Sequence, residues 1–296
     1  EMGLSLVGSE MCIRDRFLGI RLRFEELIRF GSIAIPIILI CIASVIILVK
    51  LIANRLKISS KMSYLIAIGT SVCGATAIVA TAPVVQARKT EVAYAIANIT
   101  LFGILAMLLY PYFANYYFEN DPILTGLFLG TSIHETSQVA AAGLIYDQQF
   151  NSPETLDVAT VTKLIRNTFL VILIPLFALL YNRGQNHGSK YSLSGIFPIF
   201  VIGFIGMIFL RNIGDQVFLS NGDSTKQWIF FIDVIQILAT TFLTMAMAAV
   251  GLSINLSELR DMGYKPFVVG FISAVTVGIV CIISIHILNT YFNFFN

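Results

Sequence analysis

Seven stretches of this chain contain no Asp, Glu, Lys or Arg: 32–49, 62–87, 92–118, 167–182, 191–210, 234–257 and 266–296. A helix needs about 20 apolar residues to cross the hydrocarbon core of a bilayer, and most of these stretches approach or exceed that length. Backbone in lipid must satisfy its own hydrogen bonds, which leaves only helices and closed barrels. Barrel strands alternate polar and apolar residues, and these stretches do not. The fold class expected is an all-α polytopic membrane protein. Composition agrees, with 57% hydrophobic residues, 12% charged residues and a mean hydropathy of +0.84. A soluble domain carries roughly a quarter charged residues.

Full spans are expected at 32–53, 91–116, 160–182, 192–210, 228–250 and 266–290, in a single integral membrane domain over 17–296. Residues 1–16 stand apart. They lack the apolar core of a signal peptide, and Leu6 to Arg16, LVGSEMCIRDR, resembles a translated sequencing adapter. We expect this segment to be foreign to the fold and the natural first helices to be missing.

Two apolar segments differ from the spans in being broken by small and polar residues: GTSVCGATAIVATAP (Gly69 to Pro83) and GTSIHETSQVAAAG (Gly130 to Gly143). Loop charges bear on whether they cross. Lys50, Arg55, Lys57, Lys61, Arg88, Lys89, Arg183 and Lys190 are basic, whereas Glu119, Asp121, Asp147, Glu154 and Asp157 are acidic. If both segments re-enter, the basic loops share one side and the acidic loops the other, which is what the positive-inside rule favours. Arg21, Arg23 and Arg29 run against this arrangement, partly offset by Glu25 and Glu26.

The broken segments also resemble each other. GTSVCGATAIVA (69–80) pairs with GTSIHETSQVAA (130–141), and each precedes a helix with a Pro-aromatic pattern, LLYPYF (108–113) and ILIPLF (172–177). A second pair is LGIRLRFEELIRFG (18–31) and VGLSINLSELRDMG (250–263). Inverted repeats with interrupted helices at the midplane are a common build for secondary transporters.

Helix N-termini expose N–H groups and partial positive charge, and Gly lets backbone approach a ligand. On that basis Gly69, Thr70, Ser71, Gly74, Gly130, Thr131 and Ser132 are candidate contacts for an oxyanion. Small residues also serve simply to pack helices. His134 and Glu135 are adjacent ionisable groups inside an apolar segment, where charge is costly and marks function or a partner. His titrates near neutral pH, so this pair is the candidate for proton coupling. Lys163 and Arg166, three apart on one helix face, are candidates to attract an anion, with Gln138 and Asn98 supplying amides. Snorkelling to the headgroups is the plainer reading of the two cations.

Several classes are excluded or unsupported. HETSQ has Gln138 where a zinc protease motif needs His, and no phosphate loop or nucleophile elbow is present. No enzyme activity and no cofactor or metal is expected. Of Cys12, Cys41, Cys73 and Cys281, none forms a CxxC, and no disulfide is expected. The net charge of +2 gives no reason to invoke nucleic acid.

LGIRLRFEEL, GTSVCGATAIVATAPVVQARKTEVAYAIANITLFGILAMLLYP, GTSIHETSQVAAAG, KLIRNTFLV and VGLSINLSELRDMG together resemble the sulfate exporter family of bacterial inner-membrane proteins. Thr136 and Ser137 stand where that family commonly has Val-Ala. The resemblance implies a multi-pass protein of the bacterial plasma (inner) membrane. It also implies a superfamily shared with sodium/proton antiporters and bile-acid symporters, in many of which the discontinuous helices cross. The function expected is secondary transport, in the direction of export, of a small anion such as sulfate, sulfite or an organosulfonate, driven by protons or another coupling ion, with a homo-oligomer open. The alternatives are a cation/proton antiporter using Glu135 and a non-transporting membrane sensor.

Overall fold

The computed structural model describes residue 20 and residues 24–184, 199–218, 222–253 and 263–292. Among the described residues all regular structure is helical: α1 (Phe24–Leu56), α2 (Ser60–Ser71), α3 (Ala75–Thr81), α4 (Lys89–Phe118), α5 (Pro122–Ser132), α6 (Thr136–Phe150), α7 (Pro153–Thr168), α8 (Leu170–Gly184), α9 (Ile199–Phe218), α10 (Gly222–Ser253) and α11 (Lys265–Phe292). Residues 1–16, the loop with Lys190, and residues 18–19, 21–23 and 254–262 of the repeat pair lie outside the described residues.

Among the described residues four stretches are long and apolar enough to cross a membrane: Phe30–Leu56, Lys89–Phe118, Pro153–Tyr181 and Lys265–Thr290. They coincide with four of the expected spans, and α9 and α10 overlie parts of the other two. Within the bilayer α4 is apolar around its circumference, as lipid on one side and protein on the other require. Its Ile96, Ile99 and Phe102 are buried, whereas Leu101, Leu105, Leu108 and Leu109 are exposed. Pro36, Pro111 and Pro175 lie inside helices, as membrane helices tolerate.

The chain divides into two compact units. One takes in Glu1–Arg29 and Lys190–Ser253. Here Trp228 of α10 donates from Nε1 to Asp215 at 2.8 Å, and Arg211 pairs with the same carboxylate at 2.8 Å, so α9 and α10 are tied by a shared acid. The other unit takes in Phe30–Ser189 and Ile254–Asn296 and holds both broken segments.

Those segments are two helical hairpins. Ser59 and Asp121 cap the starts of α2 and α5, Ser59 accepting from the Met62 N–H and Asp121 from the N–H groups of Ile123 and Leu124. At 12 and 11 residues, α2 and α5 are each about 16–18 Å long, roughly half of a bilayer core. After the first break the chain turns back. Lys61 at the start of α2 donates to the Gln86 carbonyl beyond α3 at 2.6 Å, and Ser59 bonds Glu91 at the start of α4 at 2.9 Å. After the second break α6 returns beside the far end of α4, where Tyr146 donates to Asn115 at 3.1 Å and the Tyr112 and Phe150 rings touch. The α2–α3 hairpin therefore enters from the face where α4 begins, and the α5–α6 hairpin from the face where α4 ends.

This geometry sorts the loop charges. Lys57, Lys61, Arg88 and Lys89 fall at one end of α4, and Glu119, Asp121, Asp147 and Glu154 at the other. By the positive-inside rule the basic end is cytoplasmic. Cysteines introduced as Ser60→Cys and Lys89→Cys are expected to label from the cytoplasmic face, and Asn120→Cys and Gln148→Cys from the opposite face, with an impermeant maleimide on oriented vesicles. Segments that crossed would instead put Ser60 and Lys89 on opposite faces.

Candidate functional site

Both helix breaks lie level with the middle of α4. A Cβ at Gly69, near the first break, would collide with Ile99, and Gln138, just past the second, donates to the Thr100 carbonyl at 3.1 Å. The first break is Val72-Cys73-Gly74 and the second Ile133-His134-Glu135. Gly74 has φ of +66°, a conformation that side chains resist, and a Cβ there would also strike the Glu135 carboxylate.

Breaking a helix leaves carbonyls without donors at one end and N–H groups without acceptors at the other. Two side chains of α7 meet the carbonyl ends. Lys163 Nζ donates to the carbonyls of Val72 (2.6 Å), Ile133 (3.0 Å) and His134. Arg166 donates from Nε to Ser71 O at 2.8 Å, from Nη1 to the carbonyls of Thr131 and Ile133, and from Nη2 to that of Thr70. Both cations are fully buried, at 0% and 1% exposure. Each therefore touches both hairpins, and each sits where the dipoles of α2 and α5 are negative.

The N–H ends meet a carboxylate. Glu135 Oε1 accepts from the Ala75 N–H at the start of α3. The same side chain accepts from the Gln138 N–H, while Gln138 accepts from the Glu135 N–H at 3.3 Å, forming a capping box at the start of α6. Glu135 thus ties the N-terminus of one returning helix to that of the other.

The structure brings nearly all of the expected site residues to this place, with roles that the sequence did not give them. The two GTS triplets end α2 and α5, so they lie at helix C-termini and not at the N-termini expected for oxyanion contacts. Gly69 and Gly130 are packing positions, a Cβ on Gly130 colliding with the Ala159 carbonyl and Thr162 on α7. Thr70 and Ser71 hold buried hydroxyls with no hydrogen-bond partner, the Thr131 hydroxyl lies against the Cys281 thiol, and Ser132 bonds back to the Phe128 carbonyl. His134 is buried, with Nδ1 at 3.2 Å from the Ser132 carbonyl. Lys163 and Arg166 do not snorkel. Asn98 lies on α4 and donates to the Pro266 carbonyl at 2.9 Å, fastening the start of α11. The partners that sequence reasoning missed are backbone carbonyls, which every residue type carries.

Two re-entrant hairpins among four apolar spans, with buried charged side chains where the hairpins meet, define a multi-pass membrane protein. The profile of the family described as Conserved hypothetical protein 698 matches residues 16–270, and the chain belongs to that family. It is similar to a UPF0324 membrane protein of Fusobacterium nucleatum, 35% identical over 280 residues that cover 90% of this chain and 80% of the relative. A UPF0324 membrane protein of Streptococcus agalactiae is 35% identical over 254 residues, covering 86% and 72%. One from Streptococcus pneumoniae is 34% identical over 257 residues, covering 86% and 73%. No solved structure gives a significant match.

Lys163→Met removes three charge-assisted donors and leaves their carbonyls buried. The expected loss of stability is about 3–5 kcal/mol, read as a lowered thermal midpoint of the detergent-solubilised protein. Gly206→Ala on α9, where an added Cβ meets nothing within 4 Å, is the matched control and is expected to stay within about 1 kcal/mol of the parent.

Proposed function

We propose that the protein is a secondary transporter of a small anion, with sulfate, sulfite or an organosulfonate as the first candidates and protons as the coupling ion. One observation carries this reading. Two cations, Lys163 and Arg166, are buried where hairpins from opposite faces meet, and among the described residues Glu135 is the one carboxylate there. Ionised groups at membrane depth are costly and usually serve transport, and interrupted helices near the midplane are where secondary transporters hold solutes. The resemblance to the sulfate exporter family points the same way.

The positive excess favours an anion over a cation as the solute. In the closed arrangement the cations are occupied by carbonyls. An anion would reach them as the hairpin tips part, and the hydroxyls of Thr70 and Ser71, buried without hydrogen-bond partners, belong to residues whose carbonyls Arg166 holds. The reading involves no enzymatic step and no cofactor.

Exchange of a cation for protons on Glu135 is the second reading, favoured by the burial of that carboxylate at the tips. The two differ in what they require. Cation exchange predicts that Glu135→Gln abolishes flux, whereas anion transport predicts that the hydroxyls matter.

The test is uptake of labelled sulfate into proteoliposomes, with sulfite and taurine as competitors, with and without a pH gradient. Flux is expected to follow the gradient. Thr70→Val and Ser71→Ala are expected to raise the half-saturating sulfate concentration by about tenfold each while leaving thermal stability unchanged, since neither hydroxyl bonds anything in the closed fold. No flux of any of the three anions in sealed, loaded vesicles would reject the reading.

A further inference from the structure

We infer that Glu135 is a proton-operated tie between the two hairpins: ionised, it holds their tips together, and protonated, it releases them. This deepens the transporter reading by naming the group whose protonation frees the site, although the tie itself needs no substrate.

Lys163 and Arg166 hold carbonyls of both hairpins, but neither meets an N–H group. Glu135 provides the matching connection on the N–H side, reaching from its own hairpin to Ala75 on the other. A carboxylate bonded to N–H groups at helix starts gains from charge assistance and from the helix dipoles. Both gains vanish when it takes up a proton. The proton comes from water, neutralises the carboxylate and leaves a much weaker acceptor facing Ala75 and Gln138. It also removes the one negative charge that the described residues place at the tips with the two cations. The protonated tips carry two buried positive charges, a costly state that separation of the tips, or entry of an anion, relieves. A proton and an anion then bind together, which couples their movement in one direction.

The surroundings single out Glu135. His134 lies beside it in the same break and Cys73 in the facing one. Lys163 and Arg166 face the tips from α7, and Cys41 on α1 and Cys281 on α11 lie near Arg166. On α4 the ionisable side chains closest in sequence to the Gln138 contact are Tyr94 and Glu91 before it and Tyr110 after it; α3 and α5 have none, α2 has Lys61 and Tyr64 towards its start, and α6 has Tyr146 and Asp147 towards its end. Among these only Glu135 bonds backbone N–H groups of both hairpins.

Cys73 reports on the tie, because it sits in the first break and is 1% exposed. The experiment uses the chain in proteoliposomes with Cys12, Cys41 and Cys281 replaced by Ala, and measures alkylation of Cys73 by N-ethylmaleimide relative to the detergent-unfolded protein at the same pH. At about pH 8 Cys73 is expected to be protected, and at about pH 5 to react about tenfold faster relative to that reference. Glu135→Gln, which mimics the protonated side chain, is expected to react at the faster relative rate at both pH values. Should Gln prevent folding, Glu135→Asp keeps the charge, shortens the reach and is expected to expose Cys73 at about pH 8 as well. Protection of Cys73 in both variants, or an unchanged pH response in Glu135→Gln, would overturn the tie. Loss of the response in His134→Asn with its retention in Glu135→Gln would assign the switch to His134 instead. These outcomes involve no sulfate, so a chain that transports none of the anions but shows this pH response keeps the tie and loses only the transporter reading.

Discussion

A helix broken inside a bilayer has backbone groups that no solvent will satisfy, and the fold described here is organised around that problem. It breaks two helices at one depth and lets a single neighbouring helix repair both. Lys163 and Arg166 are one turn apart on α7, so they project together to one place. Seven carbonyl contacts from two hairpins converge on them. The cations need the carbonyls as much as the carbonyls need them, since an ammonium or guanidinium without partners does not survive burial at this depth. The half-length helices, the tight glycine at position 74 and the hairpin topology all depend on this exchange.

Charge and backbone direction agree throughout the centre. Cations lie where α2 and α5 end, and the carboxylate lies where α3 and α6 begin, which is the arrangement the helix dipole favours at each of the four ends. The arrangement is not symmetric, although the hairpins are alike. Both cations come from the helix after the second hairpin, and the corresponding helix after the first, α4, contributes amide and backbone contacts instead. Two similar elements are thus held by one unlike pair of side chains. Movement of α7, or a change of charge at Glu135, acts on both hairpins at once.

Much of this was legible in the sequence. Uncharged runs gave the crossing helices, and the loop charges favoured hairpins over crossing segments because Lys61 and Arg88 had to share a side. The Lys61–Gln86 contact is that same fact in three dimensions. The interrupted segments were visible from Gly69 to Pro83 and Gly130 to Gly143, and the ionisable residues of the centre could be named. What the sequence left open was direction. Gly-Thr-Ser suits either end of a helix, and only the fold places Thr70 and Thr131 at the C-terminal side, where carbonyls rather than N–H groups are exposed. Glu135 followed three residues later by Gln138 is a capping pattern in retrospect. Its second bond, to Ala75 across 60 residues of chain, has no signature in either segment.

The measurement that bears most directly on this account is mercury-mediated linkage across the two breaks. Native Cys73 is paired with His134→Cys in a chain whose other cysteines are Ala, because Lys163 bonds the carbonyls of Val72 and His134 at once. The account predicts an intramolecular link in the parent background and its loss in Lys163→Met. Two thiols that each bind mercury but never link, or a link indifferent to Lys163, would contradict the claim that α7 holds the hairpin tips together.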